Sequence, residues 1–207
     1  MASEPLIQER LAFKPAGLDT WDDVQALFGQ MGKNHGCWCM WWRVRRAEFQ
    51  AQYGEGNRQA FRRLLEAGEV PGLLAYLDDR PIGWCAVAPR ESFPVLDRSP
   101  TLKRVDDQPT WSIVCFFIAG PYRGQGVMEA LTQAAIAYAG EQGARLIEAY
   151  PAIPENSKDP SLQVFTGVYS TFVRLGFQEV ARRSAIRPIL RYRVDAESRT
   201  GAAPART

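Results

Sequence analysis

The segment from Trp111 to Gln142 constrains the fold more than any other part of the chain. Trp111 to Ile118 is a nearly continuous apolar run, the pattern of a strand covered on both faces. Ala119-Gly120-Pro121-Tyr122 breaks it, and Arg123-Gly124-Gln125-Gly126 leads into a helix whose core stripe is Val127, Leu131, Ala134 and Tyr138. A buried strand that stops at glycines just before a helix aims several unpaired main-chain N–H groups at one spot. The helix dipole adds partial positive charge there. Gly124 and Gly126 let an anion approach the backbone closely, and Arg123 adds a full charge. The unit predicts a phosphate or pyrophosphate site.

Around it the chain alternates strand and helix patterns. Leu6 to Ala16 suits a first strand, and Trp21 to Gln30 repeats apolar groups at helical spacing after the capping residues Asp19 and Thr20. A second helix is expected from Asn57 to about Ala67, stopped by Gly68. Gly72 to Leu77 and Ile82 to Ala88 flank the turn residues Asp78-Asp79-Arg80-Pro81 and predict a hairpin. Pro89 to Pro109 is an irregular connection with one short helix near Phe93 to Asp97. Arg145 to Tyr150 is another strand. A helix is expected from about Ser161 to Leu175, ended by Gly176, and then a last strand pair at Phe177 to Arg182 and Ile189 to Val194. No repeat or linker interrupts this order, so one α/β domain over residues 1–194 is predicted. The polar, small-residue tail 195–207 is expected to be disordered.

Composition narrows the class. The 207 residues are 46% hydrophobic, with 25 basic against 23 acidic side chains, a net charge of +2. That excludes an intrinsically disordered chain and removes the long-range field that general nucleic-acid binding needs. No apolar run approaches the roughly 20 residues a bilayer demands. The opening Met-Ala-Ser-Glu-Pro lacks a basic region followed by an apolar one, and Cys37, Cys39, Cys85 and Cys115 lie in or beside apolar segments, as buried reduced thiols do. A cytoplasmic protein is expected.

The turn itself separates ligand classes. A mononucleotide loop needs Gly-Lys-Ser/Thr, which is missing, and a dinucleotide fingerprint needs a third glycine where Glu129 stands. Arg123-Gly124-Gln125-Gly126-Val127-Met128 instead resembles the motif-A turn of the GNAT (Gcn5-related N-acetyltransferase) superfamily, Gln/Arg-x-x-Gly-x-Gly/Ala. It matches at Arg123 and Gly126, with Met128 in place of the final small residue. The element order is similar to that family's over residues 10 to 194, and Leu175-Gly176-Phe177 resembles its motif B.

The resemblance implies a single mixed sheet of about seven strands, α/β (α+β), with helices on both faces. Two parallel strands, ending near Ile118 and Tyr150, would splay to form an acyl-coenzyme A slot. It implies an acetyl-coenzyme A-dependent N-acyltransferase acting directly on a primary amine of a small molecule or a protein; the alternative is a coenzyme-binding module of the same fold with little catalysis. The pyrophosphate would sit on Arg123, Gly124, Gln125, Gly126, Val127 and Met128, and the pantetheine amides along Phe117, Ile118 and Ala119. The family's usual tyrosine acid falls on Phe172, and its asparagine seven residues earlier on Phe165. Tyr169, one helical turn before Phe172, is then the candidate acid, and Glu148, in the strand beside the slot, the candidate base.

Gly36 to Trp42 packs three tryptophans into five residues. Read as a strand, it puts Trp38, Met40 and Trp42 on one face and Cys37, Cys39 and Trp41 on the other. Trp38 and Trp41 are candidates for an acceptor wall; a core or dimer patch is the other reading. His35-x-Cys37-x-Cys39 offers three ligands where structural zinc takes four, so no metal is expected. Arginines 182, 183, 187, 191 and 193 crowd the last hairpin, a solvated edge or the rim of a homodimer. Neither nucleic acid nor membrane is an expected partner.

Overall fold

A computed structural model describes residues 7–153 and 164–194. Seven strands are present: β1 (Leu11–Pro15), β2 (Leu73–Leu77), β3 (Arg80–Pro89), β4 (Trp111–Ile118), β5 (Leu146–Ala149), β6 (Gln178–Ala181) and β7 (Ile189–Arg193). They form one mixed sheet in the order β1-β2-β3-β4-β5-β7-β6. β4 and β5 are parallel, because the chain crosses between them through a helix, and the remaining neighbours are antiparallel.

The α-helices of the described residues are α1 (Trp21–Phe28), α2 (Arg46–Ala51), α3 (Glu55–Glu66), α4 (Pro94–Arg98), α5 (Val127–Glu141) and α6 (Tyr169–Arg174), with short 3₁₀ turns between elements. One face of the sheet packs on α1, α3 and the 36–44 loop. Its centre is Trp84, set edge-on to Phe28 at 5.4 Å and near Phe61 at 5.7 Å. The other face packs on α5 and α6 through Ile113, Phe116, Val127, Leu131 and Phe172. Burial on both faces explains why β4 reads as a nearly continuous apolar run. No helix among the described residues is long and apolar enough to cross a membrane.

The structure departs from the sequence reading at four places. The first strand starts at Leu11, after a 3₁₀ turn from Ile7 to Arg10. Gly36 to Trp42 is a tight turn rather than a strand, with Trp38 and Cys39 at left-handed φ of 46° and 55° and Met40 N donating to Cys37 O at 3.0 Å. Burial of Trp38 and Trp42 outweighs the cost of those dihedrals, about 1–2 kcal/mol per residue. α2 is an addition: its six residues bury only Phe49, too short a stretch for periodicity to show. Finally, the helix predicted over 161–175 covers only Tyr169–Arg174. Gly167 is left-handed at φ 88° and Val168 extended, while 161–163 and the tail 195–207 lie outside the described residues.

Candidate functional site

The β4–β5 ladder is short. It pairs Trp111 with Ile147, Ser112 with Glu148 and Ile113 with Ala149, and there β5 ends while β4 continues to Ile118. The parting coincides with a bulge on the other side of β4. Ala86 faces Cys115 and Val87 faces Ile113, which leaves Val114 as the extra residue. A bulge bends its strand and increases its twist, which turns the C-terminal half of β4 away from β5. The Val114 carbonyl is held by the indole N–H of Trp42 at 3.0 Å.

Alternation along β4 decides which groups face the resulting seam. Ala119 N donates to Ile82 O at 2.9 Å, on the β3 side, whereas Phe116 N donates away from β3, to Phe165 O at 2.6 Å. By the same alternation Phe117 turns its main-chain groups to β3 and Ile118 turns them to the seam. Of Phe117, Ile118 and Ala119, therefore, only Ile118 presents a peptide edge there. Its carbonyl accepts from Arg123 Nε at 2.8 Å. At the level of Phe116 the wedge is bridged by residues 164–169. They reach β4 through Phe165 O, and the chain after β5 through Gly167 O (from Ala152 N, 2.9 Å) and Tyr169 N (to Ala152 O, 3.1 Å).

At the end of β4 the chain makes a 3₁₀ turn, Gly120 to Tyr122, and enters the glycine segment. Gly124 and Gly126 are left-handed, at φ 73° and 79°, a conformation that side chains strain to adopt. The position a Cβ would take on Gly124 is open, whereas on Gly126 it would strike the carboxamide of Gln8. Ala130 N to Gly126 O, 3.1 Å, is the first bond of the α5 ladder, so the amides of Val127, Met128 and Glu129 are the helix's orphan donors. Val127 is buried and Met128 half-buried, so each offers the turn an amide rather than a side chain. Arg123 is exposed, and so is Gln125, whose Nε2 donates to Pro121 O at 2.7 Å. The Glu129 carboxylate, which would repel an anion here, is ion-paired with Arg174 at 2.9 Å.

Glu148 lies beside the closed part of the ladder and is not poised as a base. Oε1 accepts from Arg191 Nε at 2.9 Å; Oε2 accepts from Arg90 Nη1 at 3.1 Å and from the Tyr150 hydroxyl at 2.7 Å. Both oxygens are thus occupied. Tyr150 in turn accepts from Arg90 at 2.5 Å and bonds Ser112 Oγ at 2.9 Å, and its phenol is pushed well up, by burial first and by the Glu148 charge second. Arg90 also holds Asp97 (2.7 Å) and Leu102 O (3.0 Å), and Arg191 holds Asp106 (2.6 and 2.9 Å). This network ties the β3–β4 connection to β5 and β7. Sequence reasoning passed over Arg90 and Ser112, met Tyr150 only as a strand end, and read Arg191 as part of a solvated edge or dimer rim, whereas its side chain is 10% exposed and paired with Glu148 and Asp106; a charged Glu148 within an otherwise apolar strand was the available signal that buried partners existed.

The other candidates separate. Tyr169 opens α6, half-buried, and its hydroxyl donates to Glu179 at 3.3 Å under the guanidinium of Arg182. Phe172 is fully buried between Phe116 and Phe177. Trp38 is buried in the core against Trp21 and Phe28, at 5.7 and 5.4 Å. Trp41 is half-buried, with Arg46 stacked over its ring at 4.0 Å. A surface cleft of about 650 Å³, lined in part by Met40, Arg43, Trp111 and Tyr138, lies at the opposite end of β4 from the glycine turn. Among the described residues, no three His, Cys, Asp or Glu side chains converge as a metal site requires.

Comparison with known proteins fits this geometry. The chain is similar to the PaiA N-acetyltransferase of Thermoplasma acidophilum, solved in complex with coenzyme A: TM-score 0.51, 10% identity, 88% of this chain and 98% of that one covered. A second likeness is to the histone acetyltransferase HPA2 and related acetyltransferase of Corynebacterium glutamicum, at TM-score 0.52 and 16% identity, covering 90% and 97%. A third is to an N-acetyltransferase of Staphylococcus aureus Mu50, at TM-score 0.51 and 11% identity, covering 89% and 99%. At these identities the likeness is one of fold. No curated protein matches the chain. The family model described as acetyltransferase (GNAT) matches residues 38–164. That span is more than half of the chain and takes in the parted strands and the glycine turn, so this protein belongs to the acetyltransferase (GNAT) family.

Proposed function

We propose that this protein transfers an acetyl group from acetyl-coenzyme A to a primary amine of a small molecule or protein, directly, with both substrates bound. The observation that carries the reading is the β4–β5 ladder that ends at Ile113 and Ala149, with β4 running on into a left-handed glycine turn at the head of α5. The residues present fit the coenzyme: orphan amides, two glycines, an exposed arginine and a neutralised glutamate are the donor set a diphosphate requires. Arg123 and the main chain from Gly124 to Met128 would hold it. The coenzyme brings the activated thioester.

Ile118 is the position for a pantetheine amide. Its carbonyl is held by Arg123, so coenzyme binding exchanges partners: the carbonyl accepts from the ligand and the guanidinium moves to the diphosphate. Holding the thioester beside an amine supplies much of the acceleration, because the encounter is already made. Trp41 remains a candidate for the acceptor wall. With Phe172 in the family's tyrosine position and Glu148 saturated, the leaving thiolate, basic enough to be protonated at neutral pH, takes its proton from solvent. Glu148 acts by positioning.

A second reading, a coenzyme-binding module without transfer, is favoured by one contact: Phe165 O occupies the Phe116 amide inside the seam. Two measurements separate them. Thermal shift with coenzyme A and with acetyl-, propionyl- and succinyl-coenzyme A tests the slot and ranks acyl groups. Thiol release from acetyl-coenzyme A across a panel of amines tests transfer. A shift with no release supports the module; no shift with any of the four removes both readings.

A further inference from the structure

The surface cleft at the far end of β4 from the glycine turn has a volume of about 650 Å³, within the roughly 300–1,000 Å³ of small-molecule sites. Among the described residues its wall holds one cation, Arg43. Arg43 closes the 36–44 loop, where its main-chain N–H donates to Met40 O at 3.0 Å. Its side chain is only 6% exposed, and its guanidinium lies over the ring of Phe93 at 4.8 Å. Nη2 is buried and has no hydrogen-bond partner among the described residues. Nη1 meets the Glu69 carboxylate at 3.7 Å, too long for a hydrogen bond. A buried guanidinium is best matched by a carboxylate on two parallel bonds, and here it has only a loose one. Glu69 also lines the cleft, half-exposed in the irregular link between α3 and β2, so it can turn to water.

The rest of the wall indicates what a ligand's carboxylate is attached to. Met40, Val44 and Leu64 on one face of the sheet and Trp111 and Tyr138 on the other supply apolar surface, the two rings standing edge to face at 6.0 Å. Glu91, the other acid in the wall, is paired with Arg104 at 2.8 Å. One arginine between two glutamates suits a single negative charge, and a phosphate dianion would be repelled. We propose that this cleft binds a monocarboxylate carried on a ring-bearing apolar body, its carboxylate taking the place of Glu69 on Arg43. Nη1 and Nη2 then donate to the two ligand oxygens, the orphaned N–H gains its partner, and the ring lies against Trp111 and Tyr138. The eight residues of β4, roughly 25 Å of strand, separate this cleft from the glycine turn, so the ligand and the coenzyme do not compete.

The test is calorimetric titration of the full chain, with and without acetyl-coenzyme A. It needs no acyl transfer, so it fails or succeeds apart from the proposed function. Benzoate, phenylacetate and indole-3-acetate are the probes; phenylacetamide and phenethylamine are the controls. At least one acid should bind in both conditions, and neither control should. Arg43→Met keeps an apolar side chain and removes the charge, and should weaken that binding about tenfold or more. Glu69→Gln removes the competing carboxylate and should tighten it several-fold, which keeps the test decisive if Arg43→Met fails to fold. No binding by any of the three acids, equal binding of the amide or the amine, or loss of binding with acetyl-coenzyme A present would overturn the proposal. So would binding that Arg43→Met leaves unchanged, or that Glu69→Gln does not strengthen.

Discussion

Replacing Glu148 with Gln keeps the side chain's shape and removes the charge that two buried guanidiniums share. Arg90 and Glu148 are each 1% exposed, and Arg191 10%. Breaking a buried pair by removing one partner costs about 3–5 kcal/mol, because the surviving charge stays buried. Here each arginine keeps another carboxylate, Asp97 for Arg90 and Asp106 for Arg191, which places the loss at the lower end, about 3 kcal/mol. With a urea slope of about 2–3 kcal/mol/M for a chain of this size, the midpoint should fall by about 1–1.5 M. In a thermal melt the same loss is about 6–12 °C. The assay is equilibrium urea denaturation followed by tryptophan fluorescence, with coenzyme binding measured on the still-folded variant. A midpoint shift under about 0.3 M would refute the view of Glu148 as the clamp of this network. An unchanged midpoint with transfer abolished would restore it as the base.

Gly126→Ala forces a side chain into a left-handed position and against Gln8, so stability should fall by about 1–2 kcal/mol and the thermal shift from acetyl-coenzyme A should shrink. Gly29→Ala, at φ −57° with open space around it, is the control that should show neither effect. Phe172→Tyr restores the family's hydroxyl but buries it without a partner between Phe116 and Phe177. A loss of about 1–3 kcal/mol in urea, with no gain in thiol release, is expected. The Arg191 guanidinium, through hydrogen bonds first, pulls Asp106 down to about 2. Its contribution is therefore complete above the ordinary aspartate range and is lost as pH falls through about 2. Urea midpoints measured from pH 5 downward should show Asp106→Asn lacking that acid-side slope.

The sheet was legible where its signals are local. Trp111 to Ile118 was read to the residue, since a strand covered on both faces needs apolar side chains at nearly every position, Ser112 being the exception with a buried partner in Tyr150. The hairpin and α3 followed from turn chemistry and a helical stripe. Where long-range packing decides, local pattern misled. Set out as a strand, 36–42 would place Trp38 and Trp42 on one face and Trp41 on the other, but indole packing against Phe28, Phe49 and Val114 folds the segment into a turn. The continuous pattern before Leu175 hid Gly167, whose place is dictated by the ring of Phe172.

What the sequence by itself determined is the unit from β4 through the glycine turn to α5, because its causes lie within a few bonds: apolar continuity, backbone freedom at Gly124 and Gly126, orphan amides at a helix head. Only the tertiary structure decided that, of Phe117, Ile118 and Ala119, Ile118 is the one that turns its peptide edge to the seam, that Phe165 reaches across it, and that Glu148 is held by arginines from the β3–β4 connection and β7. Those outcomes depend on which way a strand's amides point and on charges brought together from 40 to 60 positions away, Arg90 at 58 and Arg191 at 43. Neither is encoded in any short stretch of residues; both arise when seven strands share one sheet.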